Sequence, residues 1–558
     1  MNKLTITLSL ALIMGSAAGT LVCQPMAQAK DAYTTEAWDK NFNRQLKKAA
    51  SDHQKLAKWC DKHGLEWTGT LVNRGVFKYL PDDPATRAYF GYEKRDGRWV
   101  QNDLKRDEFR TQFIDDEDPN GKTIRQGIGK LTERVAKAFR GAAVKARKMG
   151  EDPEQAANKA AWEERSKRAW WRVLRLRPDK GEEKGYYKYS IKYQKEAHKA
   201  LGHPKFEGEY VTPFALKHRE NRANRVRRGK EINATDPKVE ESELDGPAQA
   251  AALEAGSMKS EHMSAHSTNG KEVAGRIAKA CEKSLEDAIQ TYQFPADIKD
   301  RLGLKSMYNL KPGEGGKRYA EWERFMKAAG WGDAKIEKHK KAGLIGVGGN
   351  GWRVQVTQTG PEVEDNAINV MNQVCSTAAA LVAAQTVGRT LNSPEDWLWQ
   401  SMGYDATMRI NDTAITVWGA FGKYGQNVRA RPGENVWIQL ARQQVELDDD
   451  VSLSQLYFKT LNQQEFKGRE IVKGYAYLQF LFESDESKAR EFVWNALPLG
   501  TPAALMKVYG ADILGEDAVP EIPADLPSAQ RRGLLPPAFQ RVMDTMEDRY
   551  KKWILEAW

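Results

Sequence analysis

Apolar positions recur with a helical period over most of this chain and alternate only briefly. Ile277, Ala280, Leu285 and Ile289 fall at near-helical spacing and predict a helix over 273–292. A second helix is expected around 319–329, and Trp352 to Thr357 alternates as a strand. A helix carrying Asn372 follows, and mostly helical sequence continues to Gly510. After a proline-rich spacer, Phe539, Val542, Met543, Met546, Tyr550, Trp553 and Ile554 lie on one face of a last amphipathic helix. That face suits docking on the protein's own core. The fold class expected is mainly α with a small β component, an α+β chain.

The amino-terminal part repeats itself. Val76 to Asp82 matches Val173 to Asp179, and a second block follows each. In that block Phe90-Gly91-Tyr92 and Asp96-Gly97-Arg98-Trp99-Val100 match Leu201-Gly202-His203 and Glu207-Gly208-Glu209-Tyr210-Val211. Each unit reads as a helix ending at Pro-Asp, a short helix, and a tight Asp-Gly or Glu-Gly turn. A repeat of this kind is one supersecondary unit used twice. Between the copies, Asp107 to Lys159 is charged, alanine-rich and expected to be helical. From 220 to 270 the pattern dissolves into a basic cluster, an acidic one and an Ala/Ser/Gly/His-rich stretch, the composition of a flexible linker. The divisions expected are a signal peptide over 1–29, a helical region over 30–219, the linker over 220–270, a second body over 271–511, and a spacer with terminal helix over 512–558.

The signal peptide rests on Lys3, the apolar run from Leu4 to Val22, and the small-x-small site Ala27-Gln28-Ala29. It implies a periplasmic or secreted protein. No later run reaches the roughly 20 apolar residues of a membrane span. An apolar fraction of 41% suffices for real cores, and a mean hydropathy of −0.68 predicts a heavily solvated surface. The formal charge is +10, but 86 basic residues stand against 76 acidic ones, so the excess reads as diluted over a long chain. Nucleic acid is therefore not the expected partner; an anionic surface, an envelope protein, a peptide or a glycan is. Cys60, Cys281 and Cys375 remain after signal removal. Two readings stand for them: a Cys281–Cys375 disulfide in an oxidising compartment, or three buried small residues.

The segments Trp397-Leu398-Trp399-Gln400-Ser401-Met402-Gly403-Tyr404 and Lys473-Gly474-Tyr475-Ala476-Tyr477-Leu478-Gln479-Phe480-Leu481, with Gly500 and Tyr509-Gly510 after them, carry a family resemblance. With the Asn372 helix before them, they resemble the gluzincin (peptidase MA-like) metallopeptidases. The region from Leu56 onward resembles a tetratricopeptide-like module. The peptidase resemblance implies one helix with His-Glu-x-x-His, whose two imidazoles hold zinc and whose glutamate activates water, and a later helix with the third ligand. Here the corresponding residues are Asn372, Gln373 and Ser376, with Gln400 in place of the second-helix glutamate. Neutral amides and a hydroxyl are poor zinc ligands. Gln373 lacks the general-base role, typically worth about 10²–10⁴ in rate. No histidine follows His339, so no His-x-x-x-His site exists there. The resemblance thus implies a gluzincin-like domain without catalytic residues, metal or cofactor, with Asn372, Gln373, Ser376, Gln400 and Tyr404 lining a vestigial cleft.

Other motifs count for less. Gly346 to Gly351 satisfies G-x-G-x-x-G but leads into strand-like sequence, so a mobile turn is expected rather than a phosphate cradle. Cys60 and His63 lack a second ligand pair; His262 and His266 share helical spacing but fall in the expected linker. Asp448-Asp449-Asp450 reads as a solvated turn, and Trp397, Trp399, Trp418 and Trp437 read first as core anchors. The function expected is a catalytically silent, exported binding or scaffold module. Its rival is a hydrolase with a non-zinc site, built on carboxylates such as Glu362, Glu364 or Asp365.

Overall fold

The computed structural model describes residues 33–95, 98–101, 121–176, 188–294, 296–301, 305–311, 319–341, 346–349, 351–356, 396–411, 436–446, 450–456, 468–523 and 535–558. The chain is mainly helical with a small sheet component.

The amino-terminal body begins with α1 (Thr35–Lys62), capped by the Thr34 hydroxyl, which accepts from the Ala37 amide. It continues through α2 (Glu66–Arg74), α3 (Pro84–Tyr89), a hairpin of β1 (Tyr92–Arg95) and β2 (Arg98–Gln101), then α4 (Gly121–Glu151), α5 (Lys159–Leu174) and α6 (Lys188–Ala200). A second hairpin, β3 (Lys205–Phe206) with β4 (Glu209–Tyr210), closes it. Trp38, Phe42, Phe139, Trp162 and Trp170 form its core. In both hairpin-bearing segments the short helix ends on a left-handed glycine, Gly91 (φ 73°) or Gly202 (φ 68°). Such a glycine turns the chain out of a helix without Cβ strain. At the second hairpin Glu207 and Gly208 both have positive φ, as a two-residue hairpin turn requires.

The stretch expected to be a linker is folded, which corrects the sequence reading. It supplies α7 (Pro213–Ala234), opened by a Thr212 cap and Pro213 in its first turn, then β5 (Glu240–Glu241), α8 (Gly246–Ala250), β6 (Gly256–Lys259) and β7 (Ser264–Ser267). These three strands make half of a six-stranded sheet ordered β5-β6-β7-β8-β10-β9. The other half is β8 (Ser306–Leu310), β9 (Gly346–Gly349) and β10 (Trp352–Val356). The first four glycine-motif residues are therefore an antiparallel strand on β10, not a turn. One face of the sheet packs on α9 (Lys271–Tyr292) through Ala265 and Met307. The other face meets α8 and α11 (Ala320–Ala328) through Tyr308, Trp322 and Phe325, with α10 (Ile298–Arg301) and α12 (Asp333–Lys341) at the periphery.

The carboxy-terminal body is helical: α13 (Asp396–Asn411), α14 (Val436–Glu446), α15 (Gly468–Ser484), α16 (Glu486–Leu499), α17 (Thr501–Leu514) and α18 (Pro537–Glu556). All seven residues assigned to the apolar face of α18 are buried in the largest core cluster, together with α9 and α15. Cys281 lies in that cluster as a free, fully buried thiol, and Cys375 lies outside the described residues.

Candidate functional site

Of the five cleft residues, Asn372, Gln373 and Ser376 lie outside the described residues, as do Glu362, Glu364 and Asp365. Gln400 and Tyr404 sit on α13. Tyr404 is 2% exposed and packs edge-on to Trp437 at 4.7 Å between ring centroids, so it is a core residue. Trp397 is also core, against Tyr477. The segments behind the peptidase resemblance are thus two packed helices. At Gly474 a Cβ would come within 2.8 Å of Ser401 Oγ and 3.1 Å of the Trp397 ring.

The next turn of α13 carries what the sequence did not disclose. Asp405 and Arg409 are buried, and α7 and α9 bring Arg225 and Asp287 to them. Arg225 donates two 2.9 Å hydrogen bonds to Asp405, and Arg409 reaches Asp405 at 3.0 Å and Asp287 at 2.5 and 2.9 Å. Gln479 and Tyr292 also donate to Asp405. Burial works against the Asp405 charge, but Arg225 and Arg409 outweigh it and hold the carboxyl below its ordinary range. Arg409 is pushed up by Asp287 and Asp405 against the same burial cost. Beside this cluster Arg222 makes a paired contact with Glu483, which also accepts from Trp553 at 2.9 Å, and Arg228 pairs with Glu486. The result is an ionic lock between five helices.

A second polar cluster lies within the sheet. Ser257 on β6 and His266 on β7 are direct cross-strand partners, and the Ser257 hydroxyl is 2.9 Å from His266 Nδ1. His266 Nε2 is 3.0 Å from Asp245, which also accepts from Tyr308 and from Ser306 at 3.1 Å. Serine, imidazole and carboxylate in line are the parts of a hydrolytic triad. The polarity is reversed, however. In such triads the serine meets Nε2 and a buried aspartate meets Nδ1. Here the serine is on Nδ1 and buried, while the Asp245 side chain is 45% exposed. The Nε2 contact also lacks hydrogen-bond alignment, although 3.0 Å is close. Burial lowers the His266 pKa, with Asp245 opposing it, so a neutral ring linking two strands is the physical picture.

An open groove of about 1090 Å³ lies among the described residues. Its walls are the end of α7, the segment leading into β5, the β6–β7 turn and the outer face of α9. Lys279 reaches Asp236 at 2.5 Å, Lys283 reaches the Asn233 carbonyl at 2.6 Å, and Lys299 reaches Glu286 at 3.1 Å. Five lysines and six carboxylates line it, so its charge is nearly balanced. His262, which the sequence reading placed in a linker, sits beside it with Nδ1 2.9 Å from Glu282.

Two smaller readings are settled. Cys60 is fully buried, burial raises its thiol pKa to about 11, and His63 contacts the Trp59 carbonyl, so that pair is packing. Asp450 is not in a solvated turn: it is buried, 3.2 Å from the fully buried Lys473 Nζ. Among the described residues no group of three or more His, Cys, Asp or Glu side chains is placed to hold a metal, and no helix is long and apolar enough to cross a membrane. Comparisons with protein-family models, curated proteins and solved structures give no match to this chain.

Proposed function

We propose that this chain is an exported binding module whose ligand site is the groove between α7 and α9, and that it is not a peptidase. The observation that carries this reading is the contrast between the two regions. Of the helices bearing the metallopeptidase resemblance, α13 is tied to α7 and α9 by buried ion pairs, with Tyr404 and Trp397 in the core. The groove, by comparison, is open and lined mostly by residues with charged or polar side chains. Its balanced charge suits an extended polar chain that exchanges hydrogen bonds with the lysine–carboxylate rungs, and a peptide segment of an envelope protein fits best. A polyanion would meet six carboxylates there. The gluzincin resemblance, the tetratricopeptide-like repeats and the loss of zinc chemistry belong to the same proposal.

A photo-crosslinking residue at Ser260, on the groove wall, tests it in the producing cells. One discrete adduct to another envelope protein, lost in Lys279→Glu/Lys283→Glu, is expected. No adduct at Ser260, or one unchanged by that double variant, would count against the groove. Stoichiometric zinc or metal-dependent proteolysis by the purified chain would overturn the non-peptidase part.

One observation favours a second reading, a serine hydrolase: the contacts joining Ser257, His266 and Asp245. It requires Ser257 to react with a fluorophosphonate probe in the folded chain. A labelled Ser257, absent in Ser257→Ala, would establish it. The reversed ring polarity and the buried hydroxyl make an unlabelled serine the expected result.

A further inference from the structure

The chain's positive charge is not diluted, as its composition suggests, but concentrated in the amino-terminal body. Between 121 and 210 lysine and arginine outnumber aspartate and glutamate by about two to one, an excess slightly larger than the whole chain's +10. The rest of the chain is close to neutral. On α4 the solvent-exposed positions Lys130, Arg134, Lys137, Lys145 and Lys148 recur at three- and four-residue steps or their multiples. They therefore form one stripe, about 27 Å long at 1.5 Å per residue.

The neighbouring helix extends the stripe into a face. The α1 helix runs antiparallel to α4: Tyr33 lies under Lys145 at 3.3 Å, the Trp38 indole donates to the Ala142 carbonyl, and Asp52 meets Arg134 at 2.6 Å. Lys48 and Lys55 fall between Tyr33 and Asp52 in helical phase, and both are exposed. Asp52 is the acid within this face and is already bridged to Arg134 and Lys55, while Glu133 is half-buried at its margin. Lys130, Lys137 and Lys148 make no ion pair among the described residues.

We propose that this α1–α4 face adsorbs the protein to an anionic lipid surface. Three features select that occupant. The cations stand in two adjacent rows, which matches a sheet of headgroups. They are mostly lysines, point charges suited to a diffuse field rather than to bidentate capture of one phosphate. Among the described residues none of the exposed large apolar ones, Tyr89, Val226, Leu499 and Ile522, lies on either helix, so contact is electrostatic and reversible, without insertion. The basic face lies in a different body from the α7–α9 groove, so this inference does not depend on the groove's ligand.

Co-sedimentation of the full chain with vesicles tests it. Binding to vesicles containing phosphatidylglycerol, absent with pure phosphatidylcholine and falling with added salt, is expected. At about fivefold per lysine, Lys130→Glu/Lys137→Glu/Lys148→Glu should weaken partition by about a hundredfold or more, with unfolding temperature unchanged. The equally charged Lys167→Glu/Lys192→Glu/Lys195→Glu, on α5 and α6, should retain most of it. Equal binding to both vesicle types, equal losses in the two triple variants, or tighter binding to soluble heparin that strips the chain from vesicles would each overturn the proposal.

Discussion

Arg409 shows how much of this structure hangs on single side chains. Its guanidinium is buried, and it joins Asp287 on α9 to Asp405 on its own helix. A buried pair gains little over an apolar replacement of both partners, but removing one partner strands the other's charge in a low-dielectric interior. Arg409→Met should therefore lower stability by about 3–5 kcal/mol in urea denaturation, without a change in overall helix content. A loss below about 1 kcal/mol would mean that the cluster is solvated. Nothing in the local sequence marks Arg409 as buried, since an arginine near the end of a helix is normally exposed. Tyr404 misleads in the same way. Its motif context suggested a cleft, and its neighbour Trp437 on α14 made it core.

Among the elements, α7 is the instructive case. It has few apolar positions, so its sequence reads as linker. What holds it is the spacing of Arg222, Arg225 and Arg228, which meet Glu483, Asp405 and Glu486 on three other helices. Close approach is possible because Gly229 faces α13, where an added Cβ would sit 2.2 Å from the Arg409 carbonyl oxygen. Backbone atoms cannot yield as a flexible side chain can, so Gly229→Ala must push the helices apart. A cost of about 1–3 kcal/mol is expected, opposite in sign to the gain alanine normally gives over glycine in a helix. A stabilised variant would show that α7 and α13 do not touch there. The terminal helix α18 is the converse: its apolar face is wide and regular, and periodicity alone identified all seven of its named buried residues.

In the whole molecule, the amino-terminal body is tied to α14 by Lys78, whose Nζ is 2.8 Å from Glu446. Burial pushes the Glu446 pKa up, but Lys78 and Arg442 more than offset this and bring it to about 2. A carboxyl depressed in the folded state contributes stability above its unfolded pKa and loses it as pH falls toward the folded value. The chain should therefore lose on the order of 3 kcal/mol between about pH 4.5 and pH 2 from this group. In Glu446→Gln the unfolding temperature should start lower and show a correspondingly shallower fall over that interval. An identical acid profile in variant and parent would remove Glu446 as the cause.

Sequence alone determined what depends on neighbours along the chain. The helix expected over 273–292, the strand expected from Trp352 and the buried face of α18 each follow from a few residues of regular period, because periodicity fixes which side chains share a face. The mainly helical class follows from their sum. Tertiary structure decided what depends on partners hundreds of residues away. Arg225 needs Asp405 and Gln479, His266 needs Asp245 and Tyr308, and the α7–α9 groove exists only once β5 and β6 join the sheet. A charged side chain is buried only where the fold supplies its counter-charge, and no local pattern announces that supply. The basic face of α1 and α4 lies between the two cases: each cationic row was written in the sequence, and packing made the rows adjacent.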